Sequence, residues 1–533
     1  MFNSPQIDGS RNNNLIRYSL IAAATLAVSV LLILPIILHE FLPLVDIPNH
    51  IARHYISALN GSDANVSRYY EFKDTIAPNA AIDLIHSFIN WNGDPYLVAR
   101  LSMGAYLINF LVSVLVLNRV LTGTWNFWPL TAALVAYNAS FFWGFENYVF
   151  SVPLVIYGIA FWFALDARPV WMRVIVFGVY STILIFMHFF AFFIFAVAVF
   201  GRELQVLFSQ PRGYRVAHLW RNIALALPFL LPLVSMMLQA ASEENIDGDV
   251  TKYGGLITRF SAIFSLVKIV PFDETIAGQS GLEIAVLLFL FSILLFVFRK
   301  NGLRLKVAEK MIGPLLAVLL TCILIPAWID GVAYVHIRFP FVFVALLVAG
   351  TRWQNISPSL SVLLAAVVSG LIVGRVWFFN ELSAHHSAEV KNLIRVLDRV
   401  PTGSRILPLI AKENGPKRTL HLEAYAIVER QSFIPTMFQG THSLVLKPEW
   451  DDYAHPWLRA ITVEFLVLPI SEQMRIIEQK SWLVLGHAYW LGWEQKFTHV
   501  LMMNPTSIEL EKEFPLTLIR QLDGFSLYKV QSN

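Results

Sequence analysis

The segment Leu38–Leu59 reads LHEFLPLVDIPNHIARHYISAL and follows directly on an apolar run, Tyr18–Leu38. It packs two acids, three histidines and an arginine into the point where the chain leaves that run. Polar residues at the edge of a membrane span are costly and mark function. Pro48 suits the first turn of a helix, because its fixed φ is right there and its missing N–H is not needed. The pattern predicts a helix to about Leu59, with Asn60-Gly61 as its stop. Asp46 then stands just ahead of the helix N-terminus, where backbone N–H groups and the helix dipole keep a carboxylate ionised. Asp46, His50 and His54 are spaced i, i+4 and i+8, which allows them one shared face. This reading makes Asp46 the reactive group of a membrane enzyme. The plainer alternative is a helix-start carboxylate that steadies the turn after Pro43.

The rest of the chain agrees with a membrane setting. Its 533 residues exceed one ordinary soluble domain. Hydrophobic residues make up 56% and charged residues only 14%, and the mean hydropathy is +0.58. A net charge of +3 gives no argument for nucleic acid as a partner. The one cysteine, Cys322, lies in an apolar run, so no intramolecular disulfide supports an outward-facing domain. Arg11 and Arg17 precede the first run, and no small-x-small cleavage site follows it, which reads as an uncleaved first span.

A span needs about 20 mostly apolar residues. Eleven candidates qualify: 18–38, 97–118, 125–142, 147–165, 170–187, 189–207, 219–240, 279–298, 311–329, 338–350 and 357–379. The long apolar run after Val170 is divided at Met187-His188. With the N-terminus inside, the inner loops gather Arg11, Arg17, Arg119, Arg168, Arg173, Arg202, Arg212, Arg215, Arg221, Arg299, Lys300, Arg304, Lys306, Lys310 and Arg352, as the positive-inside rule requires. The same layout sets Asp46, Glu146, His188, Asp330, His336 and Arg338 on the outer side, together with the C-terminus.

The first outer loop, residues 39–96, carries a second amphipathic segment, Ala80–Trp91, suited to lying in the interface plane. From residue 381 no run is long enough to span. The chain therefore divides into a membrane domain, 1–380, and a small soluble α/β domain, 381–533. In the latter, Glu389–Val400 reads as an amphipathic helix stopped by Pro401-Thr402-Gly403. Short β-type runs follow at 405–410, 443–446, 465–468, 482–485 and 499–503, and 517–521 and 526–530 flank the turn Leu522-Asp523-Gly524.

The outer polar residues suggest chemistry. An acid such as Asp46 serves as general base if it reaches the proton of an acceptor group. His50 and His54 with Asp46 have a possible metal-ligand spacing, but the fuller H-E-x-x-H frame is absent, and no metal or other cofactor is favoured. Arg53, Arg100 and Arg338 offer planar, permanently charged forks for a phosphate; the competing role is snorkelling to lipid headgroups. Arg338 stands beside Asp330 and His336. Glu146 lies among aromatics in Phe141-Phe142-Trp143-Gly144-Phe145-Glu146-Asn147-Tyr148, a second carboxylate or an acceptor for sugar hydroxyls, against the reading of an aromatic belt with a solvated acid. His188 breaks the longest apolar run. No P-loop, G-x-S-x-G or dinucleotide fingerprint is present.

These features together resemble the GT-C class of membrane glycosyltransferases. The class includes protein mannosyltransferases, dolichol-linked glucosyltransferases and lipid A aminoarabinose transferases. The shared pattern is an N-in first span, a long outer loop with an acid just after it, further spans and often a C-terminal outer domain. Asp46 stands where the class has its first-loop acid, ahead of Ala52-Arg53, and His336-Ile337-Arg338-Phe339-Pro340 is similar to the late outer loop whose arginine approaches the donor phosphate. Many members carry paired first-loop acids, whereas Asp46-Ile47-Pro48 has one. The resemblance implies a polyprenyl-phosphate sugar donor and a lipid-linked glycan, polysaccharide or protein acceptor at the outer face. Asp46 is then the general base. Arg338, with Arg53 and His336, binds the donor phosphate, and His50, Glu146 and His188 contact substrate. Metal independence and inversion at the anomeric carbon are further implications. The rival readings are a transporter or lipid flippase and a non-catalytic partner in envelope polysaccharide assembly. A transporter is expected to string charges through mid-span rather than gather them at the outer rim. Basic inner loops and the lack of disulfides suit a bacterial inner membrane.

Overall fold

The computed structural model describes residues 8–59, 61–72, 79–83, 85, 94–240, 251–268, 277–329, 332–411, 419–438, 444–454, 460–479, 489–504 and 508–531. Among them, eight helices are long and apolar enough to cross a bilayer: Leu15–Leu38, Pro95–Thr122, Glu146–Ala164, Val170–Met187, Phe189–Ser209, Arg212–Val234, Gln279–Val297 and Pro358–Leu397. Each answers to an expected span, and the chain is an integral membrane protein. The expected break at Met187-His188 is present: His188 is extended, with φ −165° and ψ 125°, between two helices.

The other three expected spans are shorter elements. Residues 311–329 form a helix only over Ile312–Leu324, and 338–350 only over Pro340–Ala349. The stretch 125–142 becomes a 3-10 helix, Trp128–Val135, and a single turn, Ala139–Phe142, both buried throughout. Irregular backbone is tolerated at membrane depth only where protein covers it and its polar groups find partners. Here Arg375, 1% exposed on the last long helix, donates to the carbonyls of Tyr137 and Val267. Asn138 satisfies the N-terminus of the single turn, accepting from the N–H of Phe141 at 3.2 Å.

Helix Pro358–Leu397 has 40 residues and so runs about 60 Å. It leaves the apolar layer without interruption and goes on to bury Leu382, His386, Val390, Leu393 and Leu397. The separate helix expected at Glu389–Val400 is therefore its last turns; no Gly or Pro between Val376 and Val400 gives it a place to break. Beyond it lies a mixed five-stranded sheet in the order β6-β4-β7-β9-β8. Strand β4 (Ile406–Ile410) is parallel to β6 (Ile461–Thr462) and β7 (His499–Met503). Strand β9 (Phe525–Val530) is antiparallel to β7 and to β8 (Leu516–Leu522), turning at Gly524 with φ +82°. The run 465–468 is not a strand: Val463–Leu466 is a helical turn capped by the Thr462 side chain, which accepts from the N–H of Phe465 at 3.1 Å. The run 482–485 lies outside the described residues.

Two further strand pairs tie distant parts together. On the side of the basic loops, β2 (Arg304–Val307) pairs with β3 (Thr351–Gln354). In the segment between the first two spans, β1 (Tyr70–Phe72) pairs antiparallel with β5 (Leu444–Leu446) of the C-terminal region. Around this pair Tyr69, Tyr70, Phe433 and Trp450 form an aromatic cluster. The amphipathic segment expected at Ala80–Trp91 is helical at residues 81–83 and 85, and the rest of it lies outside the described residues.

Candidate functional site

The helix Ile47–Leu59 begins where Pro48 predicts, with Asp46 just before it. Its polar residues face the protein interior, not lipid: Asn49, His50, Arg53 and His54 are all 7% exposed or less. Asp46 is fixed through its backbone. Its N–H donates to Trp143 O at 3.0 Å and its carbonyl accepts from His50 N at 3.2 Å, while Val45 N donates to Phe142 O. The turn 141–146 thus lies directly on the start of the helix. Gly144, with φ +73°, makes this approach possible, because a Cβ there would sit 3.0 Å from Asp46 N and 3.1 Å from Ile47 N.

The buried carboxylate of Glu146 finds partners on this same helix and on the helix Pro95–Thr122. It accepts from His54 Nε2 at 3.1 Å and from the hydroxyl of Ser102, and His50 Nδ1 lies 3.8 Å away. The other ring nitrogen of His54 is 3.7 Å from Asp83, which also accepts from Arg53 Nε at 3.0 Å. An acid–histidine–acid chain therefore runs from partly exposed Asp83 to wholly buried Glu146. Two asparagines hold the Asp83 segment in place: Asn147 Oδ1 accepts from Ile82 N at 2.8 Å, and Asn79 Oδ1 accepts from Phe189 N at 3.0 Å.

Arg338 occupies the opposite wall. It is 7% exposed, with its guanidinium carbon 3.8 Å from the ring centroid of Phe145, 5.4 Å from that of Phe190 and 5.6 Å from that of Tyr148. Among the described residues its side chain makes one long hydrogen bond, Nη2 to Ala333 O at 3.5 Å, and its Nε has no hydrogen-bond partner. Asp46 is near enough to act on it electrostatically. The hydroxyl of Tyr148 donates to the carbonyl of Arg338, and His188 packs edge-on against the same Tyr148 ring at 5.1 Å. Trp143 and Tyr334, stacked at 4.2 Å, continue the aromatic wall. His336 is buried in the turn Val335–Ile337 just before Arg338.

The C-terminal region closes the site. His421 stands in a left-handed conformation, φ +67°, with Nε2 3.8 Å from Asp46 Oδ1 and its ring edge-on to Phe438 at 4.8 Å. Phe438 also meets His50 at 6.4 Å and donates its N–H to Asn49 Oδ1 at 3.2 Å.

The structure thus gathers Asp46, His50, Glu146, His188 and Arg338, all singled out in the sequence, around the segment Phe141–Tyr148. Arg53 is drawn instead to Asp83. The expected face shared by Asp46, His50 and His54 divides: both histidines meet Glu146, and His421 meets Asp46. Among the described residues no group of three or more His, Cys, Asp or Glu side chains is arranged to hold a metal ion. Asp330 lies outside the described residues. Asp83, Ser102 and His421 carry no motif of their own, and their roles follow from partners far away in sequence.

No known family profile matches the sequence, and no curated protein sequence is similar to it. The fold is matched by ArnT from Cupriavidus metallidurans in the apo state, with a TM-score of 0.50, covering 96% of this chain and 97% of that one at 11% identity. ArnT is a lipid A aminoarabinose transferase of the GT-C type. The chain therefore shares the fold of ArnT over nearly its whole length.

Proposed function

We propose that the protein is a GT-C glycosyltransferase that moves a sugar from a polyprenyl-phosphate donor to an acceptor hydroxyl at the outer face of a membrane. The observation that carries the reading is Arg338. Among the described residues no carboxylate is bound to it, and a buried cation is costly unless an anion completes it. The aromatic rings around it fix its direction, and Asp46 lies within electrostatic reach on the neighbouring wall. A donor phosphate at Arg338 brings the anomeric carbon toward Asp46. The Asp46 carboxylate, still 15% exposed, takes the acceptor's proton. The acceptor oxygen then bonds to the anomeric carbon as the bond to the lipid phosphate breaks, with inversion. Arg338 stabilises the charge that develops on the departing phosphate. His188 receives a sugar hydroxyl, while Glu146, wholly buried against His54 and Ser102, steadies the helix behind Asp46 and Arg53 orders the loop through Asp83. The acceptor is a lipid-linked glycan, a polysaccharide or a protein. The N-terminus lies in the cytoplasm and the sheet-bearing C-terminal region outside it.

The test uses the purified chain with a polyprenyl-phosphate sugar. Asp46→Asn is expected to keep donor binding and lose transfer by about 10²- to 10⁴-fold, the usual contribution of a positioned base. Arg338→Ala is expected to weaken donor binding by roughly tenfold to a hundredfold, as loss of a charged hydrogen bond does. A wild-type protein that binds no such lipid sinks the catalytic reading. Unchanged product from Asp46→Asn at normal protein level assigns the chain to the non-catalytic role.

A further inference from the structure

The opposite end of the same helix bundle holds a second cluster of charge. It lies roughly 20 Å beyond His188 along the helix Phe189–Ser209, on the side to which the basic loops belong. Four cations meet two acids there. Glu203 accepts from Arg221 Nη1 at 2.9 Å and from Trp162 Nε1 at 2.9 Å, and Arg173 Nη2 lies 3.5 Å away. Asp166 faces Arg173 at 3.7 Å, Arg202 at 3.5 Å and Lys310 at 3.1 Å. Among the described residues no further acid joins the group, so positive charge is in surplus.

The surplus is concentrated at one point. Arg202 Nη2 and Lys310 Nζ reach the same oxygen of Asp166, so these two like charges stand side by side over one shared carboxylate. Both also lie over the ring of Phe163, at 5.8 and 6.0 Å from its centroid. Arg173, 1% exposed and shared between both acids, adds a further positive charge behind them. Arg202 Nε has no hydrogen-bond partner among the described residues, and Lys310 is half exposed at 49%. Two cations that share a single carboxylate leave net positive charge at the end of the bundle, and that charge attracts a further anion. Beside them the helix Ile312–Leu324 presents Leu316, Leu320 and Ile323 as exposed apolar residues. An anion there with acyl chains satisfies both features at once.

We propose that Arg202 and Lys310 form a binding site for the headgroup phosphate of an anionic phospholipid of the inner leaflet, with Asp166 as the carboxylate that limits its strength. Basic pockets between membrane helices take such headgroups. The site is separate from the Asp46 pocket and does not depend on the proposed transfer reaction.

Native mass spectrometry of the purified full chain, titrated with phosphatidylglycerol or phosphatidylcholine, reads the site directly. Wild type is expected to retain phosphatidylglycerol in preference to phosphatidylcholine. Each basic residue near a membrane surface strengthens anionic lipid binding about fivefold, so Arg202→Gln with Lys310→Gln is expected to weaken it about twenty-five-fold. Asp166→Asn uncovers the two cations and is expected to tighten phosphatidylglycerol. A purely structural ion network predicts the reverse sign, a looser protein with no gain in lipid binding, and that result overturns the proposal. Equal retention of the two lipids by wild type also overturns it. So does protection against heat by inorganic phosphate as effective as that by phosphatidylglycerol at equal concentration, which makes the site one for free anions.

Discussion

At the scale of single residues, the protein treats its buried charges in two ways. Glu146 is wholly buried and is met by Ser102, His54 and His50. Arg338 is nearly as buried and, among the described residues, has aromatic rings where a carboxylate would be expected. The first pattern builds a rigid wall, and the second leaves charge for a ligand. A third buried group, Glu423, sits two residues from His421 in the C-terminal region. Burial pushes its carboxyl up from 4.5 to about 7, partly offset by the hydrogen bond from Thr436. The folded state therefore holds this proton more tightly than the unfolded chain does. Its contribution to stability is intact below about pH 4.5 and is lost as pH rises to about 7, a cost of roughly 3 kcal/mol at the top of that window. Glu423→Gln keeps the shape without the charge. It is expected to melt with wild type at pH 4 and above it at pH 8. Parallel curves across that range would show that Glu423 has an ordinary affinity for its proton. None of these pairings was legible in the sequence. His54 and Glu146 are 92 residues apart, and a contact at that separation leaves no local pattern. What could be read was the residue types themselves: Asp46 before Pro48, and Arg338 and His188 as polar breaks in apolar sequence.

At the scale of elements, length and composition settled most of the membrane part. A run of some twenty apolar residues can do little else than span, and His188 marked the break between two such runs. The stretch 125–142 was misread as a span because its composition is that of one. What makes it irregular is its surroundings, namely burial from Trp128 onward and the contact from Arg375 to the Tyr137 carbonyl. The turn 141–146 that follows it is the element that places Asp46, and Gly144 is its point of contact. Gly144→Ala is strained at φ +73° and must displace the backbone of Asp46 and Ile47. Misplacement of a reacting group by about 1 Å costs roughly a hundredfold in rate. The variant is expected to lose transfer by one to two powers of ten while donor binding at Arg338 is kept. Gly104, in the helix Pro95–Thr122, has nothing within 4 Å of its Cβ position, and Gly104→Ala serves as the neutral control. Equal activity of the two variants would remove the turn from the account.

At the scale of the whole molecule, the face that carries Asp46 is assembled from both ends of the chain. Composition changes near residue 381, yet the helix Pro358–Leu397 runs through that point, and the first outer loop is bound to the C-terminal region by β1–β5 pairing. Tyr69 donates to Gly403 O at 3.0 Å, Tyr70 to Ile434 O at 3.2 Å and Asn65 to Gln431 at 2.9 Å. Through these ties His421 comes to Asp46. If the two parts act as one body during turnover, locking them together costs nothing; if they separate to admit an acceptor, locking them stops the reaction. Glu71 and Val445 are paired across β1 and β5, and paired Cα atoms in antiparallel strands stand at about 4.5–5.5 Å, within disulfide range. With the native Cys322 changed to Ala, Glu71→Cys and Val445→Cys are expected to form a disulfide on mild oxidation, with transfer unchanged relative to the reduced form. Formation of the bond with loss of transfer that returns on reduction would show that the C-terminal region moves as a gate. Failure to form the bond would show that this strand pair, and the closure of the site by His421 that depends on it, is not the state of the protein in the membrane.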